Sequence, residues 1–164
     1  LLYILSDGND EKVKSYMTAL KTEGKYTVDS QIMDKLSDKF FGGFCDEDST
    51  QKTIKELYEQ SNYLADTHTA VAIDVYAQYV EKTGDKRPAV IASTASPYKF
   101  AQSVLSVISD KTEDSEFAFV RTLSELTSTK IPAPIAALEN ATVRFGTVCD
   151  KTEMPDVIKE ALGI

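Results

Sequence analysis

The run Ala89-Val90-Ile91-Ala92, followed at once by Ser93-Thr94-Ala95-Ser96-Pro97-Tyr98-Lys99-Phe100, constrains this chain more than any other stretch. Consecutive apolar residues read as a strand covered on both faces, the pattern of parallel sheets. The spacing predicts that strand over residues 88–93. Ser96 before Pro97 marks a helix start, with serine as N-cap and proline at the first helical position. Phe100, Val104 and Ile108 give that helix its core face. Thr94 therefore falls at the C-terminal end of a buried strand, where open α/β sheets receive ligands.

Helical patterns dominate elsewhere. Ser6-Asp7-Gly8-Asn9 is turn chemistry, and Asn9 or Asp10 caps a helix carrying Val13, Met17 and Leu20, with Gly24 as its stop. Ile32, Leu36 and Phe40 recur at helical spacing up to Gly42-Gly43. That glycine pair reads as a C-cap and turn, with a phosphate cradle as the alternative. The acidic loop Cys45-Asp46-Glu47-Asp48-Ser49 leads into a helix carrying Ile54, Leu57 and Tyr58. It lacks a calcium loop's spacing, so it reads as helix-start acidity. Asp66 and Thr67 cap a mostly buried helix over residues 68–81 with Val71, Val75, Ala77 and Val80. A helix from about Ser115 aligns Phe117, Val120, Leu123 and Leu126. Ile131-Pro132-Ala133-Pro134-Ile135 reads as a stiff crossing segment, residues 141–148 as a short strand, and residues 154–162 as a last helix. One convincing strand needs partners, either around residues 26–28 and Val143 or outside this sequence. The fold class is α/β, helix-rich, with few strands of its own. The opening Leu1-Leu2-Tyr3-Ile4-Leu5 reads as a helix already under way, hence a cut end; a natural short protein trimmed by processing is the alternative.

The chain has 164 residues, enough for one domain with a real core. Its hydrophobic fraction of 42% argues against disorder. A net charge of −8, with lysines scattered among acidic residues, argues against a nucleic-acid surface. No stretch approaches the roughly 20 apolar residues that span a bilayer. Cys45 and Cys149 are far apart and have no metal-ligand partners at useful spacing. A disulfide framework and a metal site are thus set aside, and a reducing cytoplasm is the simplest setting.

Few side chains offer chemistry. Thr94 can hydrogen-bond a heteroaromatic nitrogen of a cofactor, or it can simply satisfy backbone groups in the strand-to-helix turn; spacing alone favours the second. His68, the one histidine, stands near a helix N-terminus, where the dipole disfavours the imidazolium. It is either structural or a donor to a phosphate or carboxylate. Lys99 can offer a point charge to an anion or sit solvated on a helix, and Asp66 is most simply a cap. No nucleophile–base pair and no phosphate loop is recognisable.

Two longer signatures carry a resemblance. Tyr63-Leu64-Ala65-Asp66-Thr67-His68-Thr69-Ala70-Val71-Ala72 resembles the Tyr-Leu-x-Asp-Pro-His-Thr-Ala-Val-Ala signature of microbial threonine synthases. Ser93-Thr94-Ala95-Ser96-Pro97-Tyr98-Lys99-Phe100 resembles that family's Thr-Ala-x-Pro-x-Lys-Phe signature. Phe40-Phe41-Gly42-Gly43-Phe44 and the tail from Arg144 through Cys149-Asp150-Lys151-Thr152-Glu153-Met154 are also similar to the family. The resemblance implies a lyase of threonine biosynthesis with the tryptophan-synthase-β-like, fold type II architecture. It would use pyridoxal 5'-phosphate to convert O-phospho-L-homoserine and water to L-threonine and phosphate. It also implies that Thr94 faces the cofactor's pyridine nitrogen. His68, Lys99 and Ser96 match motif positions and become candidates for substrate contact or site wall.

The departures are informative. Thr67 stands where the family usually has proline, and Ser96 where histidine is common. The Phe-Lys-Asp context of the family's Schiff-base lysine is absent, as is its phosphate loop. Residues 1–164 are therefore expected to be the C-terminal portion of a larger enzyme, inactive alone and without a catalytic residue of its own. The partners implied are O-phosphohomoserine and the missing N-terminal part. The alternative is a non-catalytic homologue or processed fragment acting as a binding domain.

Overall fold

The computed structural model describes residues 1–164. The described residues form α-helices joined by turns and extended loops, without a paired strand. They divide into two compact units, Leu1–Pro97 and Tyr98–Ile164.

The first unit holds α1 (Leu2–Leu5), α2 (Asp10–Glu23), α3 (Ser30–Lys39), α4 (Glu47–Ser61) and α5 (Thr67–Thr83). Local chemistry sets most of these boundaries. The side chains of Asn9, Asp29, Asp46 and Asp66 each accept a hydrogen bond from a first-turn N–H, which satisfies donors that lack a carbonyl partner in the helix. Gly24, Asn62 and Gly84 close α2, α4 and α5 in the left-handed conformation. α4 packs on α5, while α1 contacts α2 and α3. Ile32, Ile54, Leu64, Ala65 and Ala70 are the buried apolar residues of this unit.

The expectation of a mostly buried α5 needs correction. Within the helix only Thr69 and Ala70 are buried; Val71, Val75 and Val80 are half-buried and Ala77 is exposed. A helix apolar on several sides buries only the sides that neighbours cover, and α4 is its main neighbour here.

The second unit begins within a 3-10 turn, Pro97–Phe100, and continues with α6 (Ala101–Ile108), α7 (Glu116–Thr127), α8 (Ala133–Leu138) and α9 (Met154–Leu162). α6 packs on α7, burying Ala101, Val104, Leu105, Phe119, Val120 and Leu123. The α7 row is rotated from the expected one: Phe119 and Thr127 are buried, whereas Leu126 is exposed. The buried Tyr98 hydroxyl donates to the Thr129 carbonyl at 2.8 Å. The proline-rich crossing segment starts a helix instead, because Pro134 falls in the first turn, where its missing N–H costs nothing.

The expected strands are not formed. Residues 26–28, 88–93 and 141–148 carry neither strand nor helix. Val90 is 99% exposed, and Val143, Phe145 and Val148 are nearly as bare. A strand exists through ladder hydrogen bonds to a neighbour, and no segment of this chain supplies an edge to these. The helix-rich reading stands, with the chain contributing extended segments rather than a sheet. Ser96-Pro97 opens a 3-10 turn, and the α-helix proper starts at Ala101.

Candidate functional site

Asp66 and His68 stand at the N-terminus of α5, and the segment that carries Thr94 is tied to it through Ser93. Asp66, its cap, has a side chain with no solvent exposure. Its Oδ1 accepts from the backbone N–H of His68 at 2.9 Å and of Thr69 at 3.2 Å. Its Oδ2 accepts a short bond from the Thr69 hydroxyl. A buried carboxylate is costly unless donors surround it, and here donors and the helix dipole all converge on it. The Thr69 hydroxyl is also hydrogen-bonded to Ser93 Oγ at 3.2 Å. Ser93 immediately precedes Thr94, so the start of α5 is tied to the segment that carries the candidate cofactor contact.

The opposite end of that segment is tied to the same helix. The Arg87 guanidinium donates from Nε to both oxygens of Asp85 at 3.0 Å, and from Nη2 to Oδ2 at 2.5 Å. The Tyr79 hydroxyl, on α5, donates to Asp85 Oδ2 at 2.7 Å. The Arg87 guanidinium foremost, with the Tyr79 hydroxyl, holds the Asp85 carboxyl well below the usual carboxylate range. Residues 88–93 are thus a strut tied to α5 at both ends, through Asp85 to Tyr79 at one and through Ser93 to Thr69 at the other.

Thr94 is exposed beyond the Ser93 clasp, and Ser96 is half-buried in the same unit. The His68 side chain is 61% exposed, with Nδ1 3.7 Å from Asp66 Oδ1 and 3.3 Å from the Thr67 hydroxyl. At 3.7 Å the carboxylate contact is too long for a hydrogen bond. Thr67 in place of the family's proline leaves the helix start intact, since Asp66 is the cap. Lys99 belongs to the second unit, where it is exposed with Nζ 5.5 Å from the Phe100 ring centre.

Two participants carry no role in the sequence reading, Thr69 and Ser93. The readable signal for Thr69 was its place three residues after the Asp66 cap, where a side chain can return a hydrogen bond to the capping residue. Nothing in the sequence pairs it with Ser93. The glycine pair has a role other than the C-cap expected of it: α3 closes at Phe40 in extended backbone. Gly43 instead lets the loop approach α5, for a Cβ there would lie 2.6 Å from Val75 Cγ1. The Gln78 amide donates to the Phe44 carbonyl at 2.7 Å and holds that loop in place.

Among known proteins, residues 69–159 match the family described as Threonine synthase, C-terminal. Threonine synthase of Saccharomyces cerevisiae is 36% identical over 114 residues, 64% of this chain and 22% of that protein. Threonine synthase-like 1 of Homo sapiens is 26% identical over 110 residues, 67% of this chain and 14% of that protein. The crystal structure of yeast threonine synthase superposes with a TM-score of 0.71 at 28% identity, covering 97% of this chain and 31% of that one. PLP-bound threonine synthase from Brucella melitensis shares the fold, with a TM-score of 0.60 at 20% identity over 85% of this chain and 31% of that one. This chain therefore spans less than a third of the length of these relatives. With more than half of its residues inside the family match, the chain belongs to the threonine synthase C-terminal family.

Proposed function

We propose that this chain is the C-terminal portion of a threonine synthase. The intact enzyme would be a fold type II lyase converting O-phospho-L-homoserine and water to L-threonine and phosphate, with pyridoxal 5'-phosphate as cofactor. The family match over residues 69–159, which takes in Thr69, most of α5 and the Thr94 segment, carries this reading.

The bound cofactor supplies an electron sink for proton removal, phosphate elimination and rehydration. The residues of this chain fit such a group at one point. Thr94 presents an exposed hydroxyl on a segment fixed through Ser93, Thr69 and Asp66. An alcohol keeps its proton at neutral pH, so Thr94 donates a hydrogen bond to the pyridine nitrogen without protonating it, as a carboxylic acid would. His68, with its exposed imidazole, is a candidate donor to a substrate anion, and Lys99 is a candidate point charge for the substrate phosphate. Ser96 stands where the family often has histidine and leaves the site wall one donor ring poorer.

The Schiff-base lysine and the phosphate loop belong to the N-terminal part of the same protein in this reading, so the chain alone is inactive. The enzyme is assigned to the cytoplasm, a setting that suits the free thiols of Cys45 and Cys149. No helix here is long and apolar enough to cross a membrane.

The test is phosphate release from O-phosphohomoserine by the full-length gene product supplied with pyridoxal phosphate. Threonine and phosphate in equal amounts support the reading. No release from a folded protein that binds the cofactor moves the assignment to another reaction on this fold. No cofactor binding at all favours a non-catalytic binding domain.

A further inference from the structure

The bond between Asp66 Oδ2 and the Thr69 hydroxyl is more than a helix cap requires. Capping is complete on Oδ1, which takes both backbone N–H groups. An exposed aspartate would cap as well, yet this side chain has no solvent exposure, and its second oxygen is spent on a hydroxyl that continues to Ser93. The segment so reached has no ladder to hold it. Residues 88–93 form no strand, and all but Pro88 keep two soft backbone dihedrals. Thr94 has no paired neighbour of its own to fix its direction. The side chain one position earlier is tied to α5 and restrains it.

We propose that Asp66, acting through Thr69 and Ser93, is a positioning residue that aims the Thr94 hydroxyl. The inference rests on the reading that Thr94 faces the cofactor's ring nitrogen, and deepens it. Asp66 touches neither substrate nor cofactor in this scheme. It orients the Thr69 hydroxyl, the hydroxyl holds Ser93, and Ser93 sets the backbone that carries Thr94. Displacing a reacting or tuning group by about 1 Å costs on the order of a hundredfold in rate, so a restraint at this range is worth building.

The test uses the full-length protein, titrated in its apo form with pyridoxal phosphate while the absorption band of the bound cofactor is recorded. Four variants are compared. Thr94→Val removes the aimed hydroxyl. Thr69→Val breaks the chain of bonds, and Thr69→Ser restores it. Asp66→Ser keeps the cap, since serine caps as well as aspartate. It has no second oxygen, so the Thr69 hydroxyl loses its anchor. The expected result is that Thr94→Val, Thr69→Val and Asp66→Ser all shift the band in the same direction, with Thr69→Ser close to wild type. Turnover should fall about tenfold in Thr69→Val and Asp66→Ser while KM moves little. If Thr94→Val shifts the band and Asp66→Ser does not, the positioning role is wrong and the reading of Thr94 survives. If Thr94→Val leaves the band unmoved, the reading of Thr94 falls and the positioning role falls with it. Should Thr69→Val fail to fold, Asp66→Ser and Thr69→Ser decide the matter alone.

Discussion

Gly43 faces Val75 so closely that a Cβ built on it would meet Val75 Cγ1 at 2.6 Å and Cγ2 at 3.1 Å. Valine is stiff at χ1 and has no far end to swing aside. Gly43→Ala should therefore lower stability by about 1–3 kcal/mol, the range of overpacked sites. Gly42, with open space where its Cβ would be, is the control. Urea unfolding of the two full-length variants reads the difference, and equal midpoints would show that the loop simply moves off α5.

Asp29 caps α3 and also meets Lys12 Nζ at 2.6 Å. The Lys12 hydrogen bond foremost, then the Ile32 N–H, lowers its pKa from 3.8 to about 2. A depressed carboxylate stabilises the fold fully above its unfolded value and loses that contribution as pH falls toward the folded one. Asp29→Asn keeps the cap and removes the charge. Its stability deficit against wild type should be constant at neutral pH, then shrink as pH drops from near 4 toward 2, and be smaller in high salt. Denaturation curves of both proteins across that window give the answer; a deficit independent of pH would mean that the pair contributes nothing.

Tyr98→Phe removes the hydroxyl that bonds both the carbonyl and the hydroxyl of Thr129. The loss should be modest, about 1 kcal/mol, the net worth of a typical hydrogen bond. Ser124 Oγ also donates to the Thr129 carbonyl, and the Thr127 hydroxyl stays with that of Thr129, so no buried group is orphaned. Thermal melts would measure it. A cost well above this would show that the hydroxyl organises the whole turn after α7.

Thr94→Val exchanges an exposed hydroxyl for a methyl of similar shape. Stability should stay within about 0.5 kcal/mol, as for surface changes in general. Turnover of O-phosphohomoserine by the full-length variant should drop with the fold intact by circular dichroism. Wild-type kinetics in that variant would remove Thr94 from the site.

Helix boundaries were legible because their causes are local. Asn9, Asp46, Asp66 and Ser115 each cap the helix that follows, and α9 spans the expected residues 154–162. Strands were not, because a strand depends on a neighbour that the sequence does not name; Ala89-Val90-Ile91-Ala92 has the composition of a buried strand, yet only Ile91 is even half-buried. Two prolines misled in opposite directions. Pro134 lies in a segment with the pattern of a stiff crossing and sits inside α8, while Pro97 has the setting of an α-helix start and opens a 3-10 turn. At the candidate site, motif residues drew attention to Thr94, Ser96, His68 and Lys99. Of the tie beneath them, Asp66 to Thr69 is local, whereas Thr69 to Ser93 joins residues far apart in sequence and is visible only in three dimensions.

Thr69 and Ser93 share one hydrogen bond across 24 positions of chain. Selection would then see the two hydroxyls as a single trait. A lineage that replaces serine at position 93 leaves the hydroxyl at 69 with half its purpose, and one that makes position 69 apolar leaves Ser93 without its anchor. Related sequences should change the two together, and a related protein that keeps one hydroxyl without the other should have found a different way to hold its strut against α5.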